Sequence, residues 1–495
     1  MSTGATQSAF ADGGIKSVVD RTVESIKDLF LQDSIPWVVG YSGGKDSTAT
    51  LQLIWMALQR IPASDRPHKP VYVITNDTLV ENPVVSAWVV RSHRQIAEAA
   101  EDQQLNVEPH RLTPKVNETF WASLIGKGYP APNRRFRWCT DRMKIWPSTA
   151  FIRQVVSRHG ESIIVLGARK AESIARAVRI AKFDAKELRD GLSPHSDIPS
   201  SLVFKPIVDW SDNDVWMFLM QYPNPWGFDN KELMSLYAGA AEDGECPVVI
   251  DTSTPSCGNS RFGCWTCTVV DKDKSMTAMI RNDHEKEWML PLLRFRDRIE
   301  ELTADTDSRD FRRMNGEVQF FNGQRVSGPF RQQVRADLLR ELLQIQQDIR
   351  TDGPEDVRDI ELITLPELHE IRRIWLSDKN EWEDLVPMIY EQVFGEPFPG
   401  GSFDESFPFN RDELSLLRDL SRNDLQYELL RDLLVTEQGY RSMARRRGLF
   451  DDIDGTFNRS GYRDEHEAVE RARVLAEARS QANGGPADEP AEATT

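Results

Sequence analysis

Cysteine is scarce in this 495-residue chain: there are five, an odd number, and none follows Cys267. So small and odd a set argues against a disulfide framework and towards metal or redox chemistry in a reducing compartment. Long apolar runs are missing too. No stretch reaches the roughly 20 apolar residues that a membrane span needs, and the polar first residues lack the basic and apolar regions of a secretory signal. The expected location is cytoplasmic, with no membrane contact. An excess of positive charge is also absent: 61 Lys and Arg face 78 Asp and Glu, a formal net charge of −17. The surface as a whole therefore does not attract nucleic acid, and any such contact must use a local basic patch or a partner protein. With 40% hydrophobic and 28% charged residues and no internal repeat, the chain reads as globular, with two or three domains.

What is present begins with Ser42-Gly43-Gly44-Lys45-Asp46-Ser47, set between the apolar run Trp37-Val38-Val39 and the helical stretch Thr48 to Leu58. Adjacent glycines let the backbone turn with positive φ and bring consecutive N–H groups to one oxyanion. Ser42 and Ser47 add hydroxyl donors, Lys45 adds a point charge, and the following helix adds its free amides and positive dipole end. A Walker A loop has four residues between its first Gly and Gly-Lys, then Ser or Thr. Here Gly40, Gly44 and Lys45 leave three, and Asp46 follows. The loop instead looks like one that binds pyrophosphate, which implies cleavage of a nucleoside triphosphate between its α and β phosphates. A carboxylate beside phosphates is repulsive unless it caps the helix or meets magnesium, so Asp46 is expected in one of those roles.

Residues 1–15 are polar and small, and are expected to form a mobile end. An amphipathic helix at 16–34, strands at 37–41, 71–74 and 162–166, a helix at 83–101 and an extended segment at 106–111 alternate in the manner of a parallel α/β sheet with helices on both faces. Ligands of such sheets lie outside the strand C-termini. Asp77 and Thr78 end the second strand there; Asp77 can contact ribose or metal, or form an Asx turn. Beyond about residue 285, helical stretches at 329–350, 365–395 and 410–448 describe a mainly helical second domain. Residues 480–495, rich in Ala, Pro, Gly and Glu, read as a disordered tail. The expected division is therefore 16–285, nucleotide-binding and carrying the cysteine cluster, and 286–479, helical.

Cys257, Cys264 and Cys267 fall in one loop-like segment, with Cys264-Trp265-Thr266-Cys267 a C-x-x-C pair, while Cys139 and Cys246 lie upstream. Four thiolates hold an iron–sulfur cluster, and they hold a structural zinc equally well by spacing alone.

Three further segments carry a resemblance. Trp138-Cys139-Thr140-Asp141-Arg142-Met143-Lys144 with Pro147, then Gly167-Ala168-Arg169-Lys170-Ala171-Glu172-Ser173 with Arg176, then Lys205-Pro206-Ile207-Val208-Asp209-Trp210 with Asp214-Val215-Trp216, follow the loop in the order found in phosphoadenosine-phosphosulfate reductase-like proteins. Within that superfamily, the wording Val38 to Ser42, Asn76 to Pro83 and Arg261 to Cys267 resembles the DndC family, sulfurtransferases of DNA phosphorothioate modification. The resemblance covers about residues 35–270. It implies an adenine nucleotide alpha hydrolase-like fold, ATP with magnesium as substrate, cleavage to AMP and pyrophosphate, and a four-iron, four-sulfur (4Fe-4S) cluster. On that basis Lys45, Asp46 and Arg169 are the catalytic candidates. Ser42, Gly43, Gly44, Lys45, Asp46, Ser47, Asp77, Arg142, Arg169 and Arg176 bind the nucleotide, and Cys139, Cys257, Cys264 and Cys267 hold the cluster. Where cluster-bearing members often show a cysteine pair, this chain has Trp138, so Cys246 stays open as the fourth ligand or a sulfur carrier. The implied partners are a cysteine desulfurase, DndD-like and DndE-like proteins of a phosphorothioation complex, and DNA.

Arg169, Lys170 and Arg176 can floor a phosphate site, with Glu172 holding one of the arginines. Trp210 reads as packing. Arg134-Arg135-Phe136-Arg137-Trp138 mixes guanidinium groups with aromatics, as a nucleic-acid contact does. Arg441, Arg445, Arg446 and Arg447 read instead as helix C-terminal charge or a protein contact. Two other functions compete: a reductase of phosphoadenosine phosphosulfate or adenylyl sulfate, disfavoured by the absence of a late cysteine, and a nucleotide-sensing scaffold without catalysis.

Overall fold

The computed structural model describes residues 8–184, 189, 191–240, 262–321, 323–400, 411–441, 443 and 445–483. Its contacts divide the chain into two compact units, residues 1–115 with 132–293 and residues 116–131 with 294–495.

The first unit is built on a six-stranded, mostly parallel sheet. Strands β1 (Trp37–Gly40), β2 (Val71–Asn76), β3 (Val107–Leu112), β4 (Ser162–Val165), β5 (Leu192–Pro194) and β6 (Ser201–Phe204) lie in the order β3-β2-β1-β4-β6-β5. Only the β5–β6 pairing is antiparallel. Central strands such as Trp37-Val38-Val39 and Ser162-Ile163-Ile164-Val165 are buried on both faces, which is why they appear as unbroken apolar runs rather than alternating ones. One face is covered by α1 (Gly14–Leu31), α2 (Lys45–Gln59), α3 (Pro83–Asp102), α6 (Asp212–Gln221) and α7 (Asn230–Gly239), which bury Val23, Trp55, Ile96, Phe218 and Leu233 in one core. The opposite face carries a smaller cluster, Val38, Tyr72, Ile74 and Ile164 under Ile152 and Val155 of α4 (Trp146–His159). Helix α5 (Ile174–Asp184) follows β4.

Residues 8–13, expected within a mobile end, are instead tied down. Ser8 and the Ala9 amide both donate to the Asp214 carboxylate, the latter at 3.0 Å, and Phe10 packs edge-on against Trp210 at 5.1 Å. Residues 1–7 lie outside the described residues.

The second unit is mainly helical: α8 (Gln332–Asp352), α9 (Leu365–Arg373), α10 (Leu385–Phe394), α11 (Arg411–Leu420), α12 (Asp424–Arg441), α13 (Leu449–Ser460) and α14 (Glu465–Asn483), with a hairpin of β7 (Gln319–Phe321) and β8 (Gln324–Val326). Residues 116–131 form part of its core. Trp121 Nε1 donates to the Leu362 carbonyl at 2.7 Å and Trp375 Nε1 to the Ile125 carbonyl at 3.1 Å. Gly126 sits so close to Ile374 that an added Cβ would lie 2.9 Å from its Cδ1. The tail expected from residue 480 is still helical to Asn483; its remainder lies outside the described residues.

Candidate functional site

The loop after β1 is held from three sides. The Tyr41 amide donates to the Ile74 carbonyl at 2.8 Å, and the Tyr41 carbonyl accepts from the Thr75 hydroxyl. Having given its one proton to that carbonyl, Thr75 can only accept from His93 Nε2, 2.6 Å away, which fixes the histidine tautomer. Burial pushes the His93 pKa down to about 4, with Arg111 and His110 adding to the effect. Gly43 has φ 72°, a conformation that glycine adopts without strain, and its carbonyl accepts from Trp88 Nε1 at 3.1 Å. Ser47 Oγ receives the Ser42 amide at 3.2 Å and donates to the Gly44 carbonyl at 3.0 Å. The helix N-cap is Gly44, with no side-chain cap.

Asp46 therefore does not cap the helix. Its carboxylate is taken by Arg169, whose Nε donates to Asp46 Oδ1 at 2.7 Å. Arg169, only 1% exposed, also donates Nη2 to Asp212 and Nη1 to the Trp210 carbonyl at 3.2 Å. Lys45 Nζ stands 3.7 Å from Asp46 and 3.5 Å from Asp212, and 5.4 Å from the Tyr237 ring centroid. Two cations and two carboxylates thus form a closed quartet at the mouth of the loop. Burial opposes the charge on Lys45, yet Asp46, Tyr237 and Asp212 hold its pKa above the ordinary lysine value. Burial likewise opposes ionisation of Asp212, and Lys45 and Arg169 outweigh it, holding that carboxyl low. Asp212 and Tyr237 were not legible as site residues, since neither belongs to the loop nor to the segments following β4.

These groups line a cavity of about 1630 Å³ at the C-terminal edge of the parallel strands, where such sheets bind ligands. Ser42, Gly43, Gly44, Ser47, Asp77, Arg169 and Arg176 all reach it. Asp77 is committed to the protein: it pairs with Arg111 and accepts the Leu79 amide at 2.8 Å, the Asx turn that allows Leu79 a φ of 62°. Arg176 pairs with Glu172, as the sequence suggested for one arginine. Two expectations change. Lys170 turns away to Asp209, at 2.8 Å, and Arg142 is not among the residues lining the cavity, its guanidinium lying 5.8 Å from the Trp146 ring centroid, while the neighbouring Lys144 does line it. Trp210 packs against Phe10 and Phe218, as its sequence context indicated.

Behind Glu81 and Lys144, which line this cavity, stands the Cys264 thiol. Glu81 forms an antiparallel bridge with Cys264, the Trp265 amide donates to Val80 at 3.0 Å, and Thr78 Oγ1 stands 3.2 Å from Cys264 Sγ. The Cys264 sulfur, with Glu81, Cys139 and Cys267 behind it, raises the Lys144 pKa against the effect of burial. Burial pushes the Cys139 and Cys264 thiols up. Thiolates are soft donors that suit a thiophilic metal or cluster better than a hard cation. Among the described residues no group of three or more His, Cys, Asp or Glu stands close enough to share a metal ion; the expected ligand Cys257, and Cys246, lie outside them. At the loop, Asp46 and Asp212 are carboxylates of the kind magnesium takes alongside phosphates, and both are paired here with Arg169 and Lys45.

The fold and this cavity define a mostly parallel α/β unit whose cavity lies at the C-terminal edge of its strands, beside a glycine-rich loop. Residues 36–270 match the phosphoadenosine phosphosulfate reductase domain. An uncharacterized protein of Methanocaldococcus jannaschii is 26% identical over 227 residues, 44% of this chain and 39% of that relative, so the chain spans about two fifths of its length. Among solved structures, the U34-tRNA thiolase NcsA of Methanococcus maripaludis with its four-iron, four-sulfur cluster is 13% identical over 58% of this chain and 80% of its own, with a TM-score of 0.27. The Candida glabrata FMN adenylyltransferase in complex with FAD and inorganic pyrophosphate is 14% identical over 48% of this chain and 65% of its own, also at 0.27. No described helix is long and apolar enough to cross a membrane.

Proposed function

We propose that the protein is an ATP-dependent sulfurtransferase that activates a DNA backbone phosphate by adenylylation. The observation that carries this reading is the shared wall: Glu81 and Lys144 line the nucleotide cavity and also face the Cys264 thiol. Activation and sulfur delivery then occur at one place. ATP binds with its β and γ phosphates in the cradle of Ser42 to Ser47, and a phosphate oxygen of the acceptor attacks the α-phosphorus. The bond to pyrophosphate breaks, and its growing negative charge is met by the loop amides, Lys45 and Arg169. Sulfur at the oxidation level of sulfide then displaces AMP, which leaves with the former acceptor oxygen. A cysteine desulfurase is the proposed source, a thiol reductant freeing its persulfide sulfur. Cys139, Cys264 and Cys267 with Cys257 would hold a 4Fe-4S cluster, whose chemistry when bound is to carry sulfide. The exposed Arg135 and Phe136, displayed by an Asx turn on Asn133, suit a DNA contact near Cys139. DndD-like and DndE-like proteins are the proposed partners.

The test is radiolabelled ATP incubated with pure protein, with and without DNA, followed by mass spectrometry of nuclease-digested DNA from cells that have or lack the gene. AMP and pyrophosphate together with gene-dependent phosphorothioate dinucleotides support the reading. No turnover under any condition supports a nucleotide-sensing scaffold instead. A Lys45→Ala variant that releases pyrophosphate at the normal rate would sink the loop's role.

A further inference from the structure

In the second unit several exposed arginines are met by carboxylates: Arg298 by Glu341, Arg340 by Asp337, Arg373 by Glu370 and Asp378, Arg473 by Glu470. The connection between α12 and α13 gathers four that are not. From Arg441 to Phe450 the sequence holds four arginines and no acidic residue, in a chain of net charge −17. Arg441, Arg445, Arg446 and Arg447 are all exposed, and none makes an ion pair among the described residues. Helix C-terminal charge explains only Arg441. Helix α12 ends there, so the other three lie past the last turn, beyond the reach of the dipole effect.

Large apolar side chains stand in the open beside them. Met443 is 52% exposed, and Phe450, in the first turn of α13, is 78% exposed. Phe457 follows two turns later on the same face and is 48% exposed. The carboxylates of α13 do not neutralise the cluster: Asp452 accepts from Tyr440 at 2.6 Å, and neither Asp451 nor Asp454 reaches an arginine. Guanidinium groups interleaved with accessible aromatics match an anionic polymer whose bases can stack, and they match it better than an acidic protein surface, which offers nothing for Phe450 to stack on.

We infer that Arg441, Arg445, Arg446, Arg447 and Phe450 form a docking surface for single-stranded nucleic acid, with the arginines on the phosphates and Phe450 under a base. This deepens the function proposed above and rests on it only for the expectation that nucleic acid visits the protein.

The test is fluorescence anisotropy of a short mixed-sequence single strand, and of the matching duplex, titrated with the full chain over a salt series. Each phosphate contact contributes about 0.7 to the slope of log affinity against log salt for a single strand. The triple variant R445Q/R446Q/R447Q should therefore lower that slope by about 2, while R445K/R446K/R447K keeps it. Phe450→Ala should weaken the single strand about tenfold with the slope unchanged, and the duplex far less. An unchanged slope and affinity in the glutamine variant overturns the inference and leaves the arginines to an acidic protein partner. Equal losses for duplex and single strand with Phe450→Ala overturn the stacking role. ATP cleavage measured without nucleic acid is a separate readout: if the unmodified protein fails it, the proposed reaction falls and the docking result stands.

Discussion

Gly167 and Asp46 touch through the backbone: a Cβ on Gly167 would lie 2.7 Å from the Asp46 carbonyl oxygen and 2.9 Å from its carbonyl carbon. The end of β4 thus presses directly on the first turn of the loop helix, and no flexible side chain is available to move aside. Gly167→Ala should shift the loop and lower ATP cleavage by at least tenfold. Thermal melting of the same variant should show a loss of about 1–3 kcal/mol, the usual range for overpacking. Normal kinetics in this variant would mean that the contact does not position the loop.

Asp212 is the second carboxylate on a fully buried arginine. In Asp212→Asn, Arg169 and Lys45 are left with Asp46 alone, so Arg169 should lose orientation and the stability should fall by about 1–3 kcal/mol. Pyrophosphate release should slow more than ATP binding weakens, because the charge that Arg169 answers grows in the transition state. A rise in KM with kcat unchanged would assign Asp212 to ground-state binding only.

His93 makes stability depend on acid. Its pKa is about 4 in the folded protein against an ordinary 6.5, so the folded state binds fewer protons between those values. The stability is whole above pH 6.5 and declines as the pH falls towards 4, by about 3 kcal/mol in total. Urea denaturation at stepped pH should trace this decline. His93→Gln keeps a donor towards Thr75 without a titrating ring, and should flatten the curve over that window.

The cysteines give a metal prediction. Protein purified without oxygen should carry iron and broad visible absorbance, and Cys264→Ser should lose both while keeping the far-ultraviolet dichroism of the unmodified chain. Zinc at one equivalent without colour would identify a structural site instead.

Much of the first unit was legible because its central strands are buried on both faces and end in glycine or polar motifs: Trp37-Val38-Val39 before Gly40, Ser162 to Val165 before Gly167. Strands β5 and β6 were not, since Leu192-Ser193-Pro194 and Ser201-Leu202-Val203-Phe204 are short and partly polar. The loop itself was plain from its glycines. Its counter-charges were not: Asp212 comes within 3.5 Å of Lys45 only because α6 starts beside the loop, and local sequence does not encode that approach. Asp46 was expected to cap the helix or meet magnesium; it makes no cap and pairs with Arg169, which local pattern alone could not pair with it. Residues 116–131 gave an ordinary apolar signal, and only their distant partners Leu362 and Trp375 reveal which unit they complete.

That same segment governs how the molecule can be dissected. The chain crosses from one unit to the other at 115–116, returns at 131–132 and crosses again at 293–294. A fragment beginning near residue 294 would lack Trp121 and Gly126, against which its own core is packed. One that stops there would carry Phe120 to Ile125 as exposed apolar ballast. Neither half is a free-standing gene product by simple truncation, and exchanging units between homologues requires junctions at all three crossings rather than at one.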